Sequence, residues 1–335
     1  MRWGRVKIES TIAAAASWLA ACVLFATLPV VVTAQDTAEE PLYAAPTGLD
    51  HVGRVLAAVS IDGRGPFRFI VDTGSNRSAI SYRLAASLGL AAAPGATIEV
   101  HGVTGSAVVP AVRVAQMRIG ELALTDQLLP LLPDAVFADA DGILGIEGLQ
   151  GALLDVDFKQ DRVTIRRSTG RRAADGYLIV PARISSDGLL LVNGRIGGVH
   201  ARIILDTGAE RTIGNLALQR ALEAGSRHGE VSAATVTGAT PGAVGAVAFL
   251  APAISIGDAR MQNVPVTFAD LHVFAVRGLL AAPALVIGMD VLGTVDRFVV
   301  DYRRREFQFR PQDLDGMGVR NCNTGACGTH LPRNR

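Results

Sequence analysis

An Asp-Thr-Gly tripeptide occurs twice, at Asp72-Thr73-Gly74 and Asp206-Thr207-Gly208, each time behind a short apolar run. The runs are Phe69-Ile70-Val71 and Ile203-Ile204-Leu205. An apolar stretch of that length with a turn signal after it reads as a buried strand entering a tight loop. One such tripeptide is an ordinary turn, because Asp bonds to nearby backbone and Gly accepts φ > 0. Two copies in the same surroundings constrain the chain much further.

The surroundings do recur. Nine residues after each Asp stands an N-cap candidate, Ser81 and then Asn215, followed by a short helical pattern that Gly89 and Gly225 stop. A Val-Thr-Gly turn follows at Val103-Thr104-Gly105 and at Val236-Thr237-Gly238. Next comes an apolar pair ending in Gly, Ile143-Leu144-Gly145 and Val286-Ile287-Gly288. Each half closes on a strand pattern, Val156-Asp157-Phe158 to Val163-Thr164-Ile165, and Val300-Asp301-Tyr302 to Phe307-Gln308-Phe309. The order implies an internal duplication with a period of about 134 residues (206 − 72), too long for a solenoid repeat. It predicts two sibling lobes, residues 51–178 and 179–311. Hairpin signals at Asp62-Gly63-Arg64-Gly65 and Gly197-Gly198 open them.

This arrangement resembles the aspartic peptidases of the retroviral-protease-like superfamily, and in particular exported bacterial aspartyl protease family proteins. The likeness spans residues 51–311 in two copies and is densest over 69–90 and 286–309. It implies an all-β, bilobal acid-protease fold with short helices and an active site between the lobes. Asp72 and Asp206 would be the catalytic pair, and Thr73 and Thr207 would bond across to lock the facing loops. The two Val-Thr-Gly turns would be flap tips. Asn76, Arg77, Glu210 and Arg211 would line the cleft, or the two arginines would pair with nearby carboxylates to brace the loops. Ser75 and Ala209 occupy the position beside each carboxylate. A Ser75 hydroxyl bonded to Asp72 would favour Asp72 as the ionised base and Asp206 as the proton carrier.

The chemistry suits the pair. Two carboxyls about 3 Å apart cannot both ionise readily, so they hold one proton between them. One then activates a water and the other protonates the carbonyl oxygen of a peptide bond. Gly74 and Gly208 lack side chains, so the loops can approach each other. An aspartic endopeptidase acting as a monomer on extended peptides is therefore expected. A non-catalytic peptide-binding module of the same fold is the alternative, and an exported scaffold a further one. No G-x-S-x-G, H-E-x-x-H or G-x-x-x-x-G-K-[ST] pattern occurs, and the six histidines lack ligand spacing. No metal or cofactor is expected. Gly142, Gly145, Gly148 and Gly151 recur every third residue but lack the context of a phosphate loop.

Residues 1–34 read as a targeting segment. Arg2, Arg5 and Lys7 precede an apolar run from Ile12 to Val32, and Val32-Thr33-Ala34 fits a cleavage site. Retention as a membrane anchor, and lipidation at Cys22 in Leu19-Ala20-Ala21-Cys22, are competing readings. All three export the body of the protein, to the periplasm or beyond. Removing this segment, with its three basic residues and one acidic one, takes 32 Lys+Arg and 31 Asp+Glu down to 29 and 30. That balance argues against a nucleic-acid partner. Residues 35–50 read as a flexible lead-in, and Arg166 to Arg172 as a solvated connector between lobes. In the polar tail, 312–335, Cys322 and Cys327 would close a small disulfide in an oxidising compartment.

Overall fold

Two tight turns start the two lobes in the same way. Asp62 and Gly63 have φ of 49° and 76°, and Gly197 and Gly198 have φ of 56° and 89°. Positive φ at both central positions matches the twist of a β-hairpin, so Val55–Ile61 pairs with Arg64–Val71 and Leu190–Ile196 with Val199–Leu205. The computed structural model describes residues 7–10, 43–45 and 48–311, apart from 93, 121, 161, 186 and 226–229. The protein is all-β and bilobal, with only short helices.

The second strand of each hairpin drives inward because its last residues are apolar. Phe69, Ile70 and Val71 are fully buried, as is Ile203. A short strand then threads beside it. Gly142–Leu144 lies parallel to Arg64–Val71 and antiparallel to Ala79–Ser81, and Ala284–Ile287 lies parallel to Val199–Leu205 and antiparallel to Ile213–Gly214. The expected helices follow, Tyr82–Leu88 and Leu216–Ala224. Ser81 and Asn215 cap them by accepting the Leu84 and Leu218 amides, at 3.0 and 2.8 Å. Gly89 ends the first in the left-handed region, whereas Gly225 ends the second at φ −91°. Each sheet curls toward closure through a further pairing, Ser60 with Arg118 and Ile196 with Ile254.

The lobes share a sheet. Ala152–Asp157 of the first lobe pairs antiparallel with Arg297–Asp301 of the second, and each continues into its own hairpin partner. Phe158 packs on Phe298 across this junction, with ring centroids 5.9 Å apart. Arg297 clasps the buried Asp155 with both Nε and Nη2, and its Nη1 lies 3.3 Å from Asp157. Leu178–Ile184 links the shared sheet to the rest of the second lobe, pairing with Glu306–Arg310 at one end and Leu190–Ile196 at the other.

Two expectations about linkers need correction. The lead-in is built into the first lobe near its end. Tyr43–Ala45 pairs with Arg162–Arg167, Gly48–Leu49 pairs with Val55–Ile61, and buried Asp50 accepts the Val52 and Arg54 amides and Arg54 Nε. The basic connector is likewise anchored. Ser168 is buried and donates to Asp301 Oδ2 at 2.9 Å, while Arg303 and Arg304 donate to the Ser168 and Gly170 carbonyls. In both stretches, backbone groups that would otherwise face water find partners on a neighbouring strand or arginine. Of the targeting segment only Lys7–Ser10 is described, beside Ala259–Gln262. The rest of it, with Cys22, and the Cys322 and Cys327 tail lie outside the described residues.

Candidate active site

Asp72 and Asp206 each follow a buried strand and sit half-buried on facing loops. Their amides donate to the Leu144 and Ile287 carbonyls, both at 3.0 Å, so the threading strand fixes where each loop begins. The next residue locks the loops together. Thr73 Oγ1 donates to the Leu205 carbonyl at 2.8 Å and accepts the Thr207 amide at 3.1 Å. Thr207 Oγ1 donates to the Val71 carbonyl at 2.6 Å and accepts the Thr73 amide at 3.0 Å. Both threonines are buried, so these four bonds have little water to compete with them. The third residue must be Gly. A Cβ on Gly74 would lie 2.3 Å from Asp206 Cγ, and one on Gly208 would lie 2.3 Å from Asp72 Cγ.

The approach that excludes a Cβ also sets the two carboxyls against each other, so that each shifts the other's protonation. Burial pushes Asp72 well above the usual carboxylate range, and the neighbouring Asp206 charge pushes it further. Burial also raises Asp206, but amides from Gly208 and Ala209 pull it back, at 2.9 and 3.0 Å from Oδ1. Among the described residues Asp72 accepts one such amide, from Gly74 at 2.8 Å. Asp206 thus accepts one more backbone amide than Asp72, an arrangement that favours the charge on Asp206 and the proton on Asp72.

The opposite assignment was expected from Ser75. Its hydroxyl donates to the Arg77 carbonyl at 2.8 Å and leaves Asp72 alone. The asymmetry comes instead from the backbone, because the Ala209 amide reaches its own carboxylate. The Ser75 amide points to the Asp72 carbonyl at 3.4 Å. Ser75→Ala is accordingly expected to leave the acidic limb of a pH–rate profile in place, within about half a unit, or roughly 0.7 kcal/mol. A limb displaced by a full unit would restore Ser75 as a donor to the dyad.

A brace beneath each loop was missed from sequence. Ser78 and Thr212 stand six residues after each Asp, and Glu147 and Asp290 stand two residues after Gly145 and Gly288. Glu147 accepts the Ser78 amide, and Ser78 Oγ accepts the Gly145 amide at 3.0 Å. Asp290 accepts the Thr212 amide at 3.0 Å and its hydroxyl at 2.7 Å, and Thr212 Oγ1 accepts the Gly288 amide at 3.3 Å. Burial raises the Asp290 carboxyl despite these bonds. The signal was available, since both copies keep a hydroxyl and a carboxylate at matching offsets. Gly145 and Gly288 are packing glycines here, with a Cβ meeting Arg77 backbone at 2.5 Å and Ala209 or Arg211 carbonyls at 2.8 Å. Gly142 is similar, against Phe69 at 2.5 Å.

Asn76, Arg77, Glu210 and Arg211 are all exposed. Arg77 donates to the Leu128 carbonyl at 3.4 Å and Arg211 to Glu210 at 3.0 Å, contacts along the flanks of the loops. Closer in charge terms are Arg54, which favours ionised Asp72, and Arg277, which favours ionised Asp206. Each is itself held by a carboxylate, Asp50 and Asp187.

Val103, Thr104 and Gly105 fall at the end of the hairpin made by Thr97–His101 and Ser106–Ile119. The second turn is displaced by its longer loop. Val236 and Thr237 remain in strand Ser232–Thr237, and residues 238–242 form the turn. As a result Thr240, not Thr237, meets the first hairpin: Thr104 Oγ1 lies 3.2 Å from the Thr240 carbonyl and 3.1 Å from its Oγ1. Val103, Ala209 and Val236 share one apolar cluster, which puts the hairpins over the second Asp loop.

Compared with known protein families, the chain matches an aspartyl protease model twice, over residues 57–147 and 192–291. Each match contains one Asp-Thr-Gly loop and its threading strand. No curated protein matches the chain.

Proposed function

The chain belongs to the aspartyl protease family, and from that premise we propose that it is an endopeptidase working through Asp72 and Asp206. The observation that carries this reading is the mutual exclusion at the loops, where neither glycine has room for a Cβ against the opposite carboxyl. Carboxyls held that close share a proton, which is what the chemistry requires. Ionised Asp206 takes a proton from a water as the water adds to the peptide carbonyl. Asp72 gives its proton to the carbonyl oxygen. The resulting tetrahedral diol collapses as a proton passes to the departing amine, and no covalent enzyme intermediate forms. Hydrolysis should fall in acid as Asp206 is protonated and in base as Asp72 is deprotonated. Its acid-side fall reflects the pair, since the two titrate together.

Both carboxyls come from one chain, which supports a monomer as the working unit. Export, to the periplasm or beyond, is part of the same proposal and rests on the basic-then-apolar leader. The test is cleavage of a mixed peptide library by the chain lacking residues 1–34. New termini absent from a variant with both Asp replaced by Asn support the reading, and an unchanged library overturns it.

Flap packing adds a second expectation. A Cβ on Gly238 would lie 3.1 Å from Val103 Cβ, whereas one on Gly105 meets only Thr240 Oγ1 at 3.9 Å. Gly238→Val should therefore hold the hairpins apart and raise KM about tenfold, since closure shapes binding. Gly105→Val should change it little. Equal kinetics for both variants would show that the hairpin contact has no part in binding.

A further inference from the structure

The first hairpin does more than meet the second; it is fastened to the opposite lobe. His101, its last strand residue, places Nδ1 3.1 Å from Nε2 of His272, with the rings stacked at 5.3 Å. His272 opens the short helix His272–Ala275 of the second lobe. Next to it the Val273 amide donates to the Val103 carbonyl at 3.4 Å, and Val273 packs in the same apolar cluster as Val103. The two rings are solvent-accessible.

A bond between two imidazole nitrogens needs a hydrogen on one and a free lone pair on the other. It exists when both rings are neutral, and it survives one added proton as a charge-assisted bond. A second proton leaves no acceptor and sets two cations against each other. Histidine is the side chain that changes charge in the range where this matters. The other charged groups nearby are Glu99, on the same side of the hairpin strand, and Asp270 and Arg277, flanking the helix. Asp270 is occupied by the Leu216 amide, and Arg277 by Asp187 and the Val273 carbonyl. The second hairpin, from Ser232 to Leu250, carries no titratable side chain.

We propose that the His101–His272 pair is an acid-released latch, holding the first flap across the cleft until both rings are charged. Acid would then open the cleft to substrate. The inference goes beyond the hydrolytic reading, and its test needs no substrate. Amide hydrogen exchange at Val273 is measured between pH 7 and pH 4.5 in the full chain carrying Asp72→Asn and Asp206→Asn, so that the dyad neither titrates nor cleaves. Rates are corrected for the intrinsic pH dependence of exchange. Protection should fall roughly fivefold on acidification, the scale of one net hydrogen bond. His272→Ala should already show the low protection at pH 7, with no further step. Amides of Val199–Leu205 report that the lobe stays folded. A protection constant with pH in the parent, or a step that persists in His272→Ala, overturns the latch.

Discussion

Asp72→Asn and Asp206→Asn are each expected to lower peptide hydrolysis by at least about 10³-fold, the scale of a positioned acid or base. A neutral amide can neither take a proton from water nor give one to the carbonyl. A second readout separates this from misfolding. Both carboxyls are raised in the folded protein. A raised carboxyl binds its proton more tightly when folded. Its contribution therefore favours the fold below the ordinary carboxylate range, and is lost as pH climbs through the raised value. Asn has no proton to lose. Asp72→Asn should melt above wild type at pH 7 and alongside it near about pH 3. A variant that keeps near wild-type turnover, or melts below wild type at pH 7, would contradict the shared dyad.

Gly74→Ala is expected to be nearly as damaging, although it adds one methyl and removes no functional group. That methyl would overlap the Asp206 carboxyl, at 2.3 Å from Cγ and from Oδ2. The loop cannot easily yield, because Thr73 and Thr207 tie each backbone to the other at both ends. The carboxyls must separate, and a misplacement near 1 Å can cost about 10²-fold in rate. Overpacking should also lower stability by about 1–3 kcal/mol. Gly245→Ala is the control, since a Cβ there meets nothing within 4 Å. Unchanged kcat/KM and melting in Gly74→Ala would mean that the loops are further apart than described.

What the sequence by itself determined were features written within a few residues of each other. The Asp-Thr-Gly loops, the paired-turn hairpins at Asp62-Gly63 and Gly197-Gly198, and the Ser81 and Asn215 caps depend on local backbone geometry, so residue type alone predicts them. The duplication extended this to architecture, because a repeat of that length with matching order can only be two lobes.

Only the tertiary structure decided how those pieces face one another. Ser75 had a hydroxyl that could bond to Asp72, but the Arg77 carbonyl lay in reach and took it. The extra bond to Asp206 comes from one backbone amide, Ala209, a donor that every non-proline residue carries and no motif reveals. The second flap contacts the first through Thr240 because its loop is one residue longer, shifting the Val-Thr-Gly turn back into its strand. Asp50 and Ser168 looked like parts of linkers and became buried acceptors and donors, since strands and arginines far along the chain supplied partners. Residue type sets what a group can bond to, and the fold sets which partner arrives first.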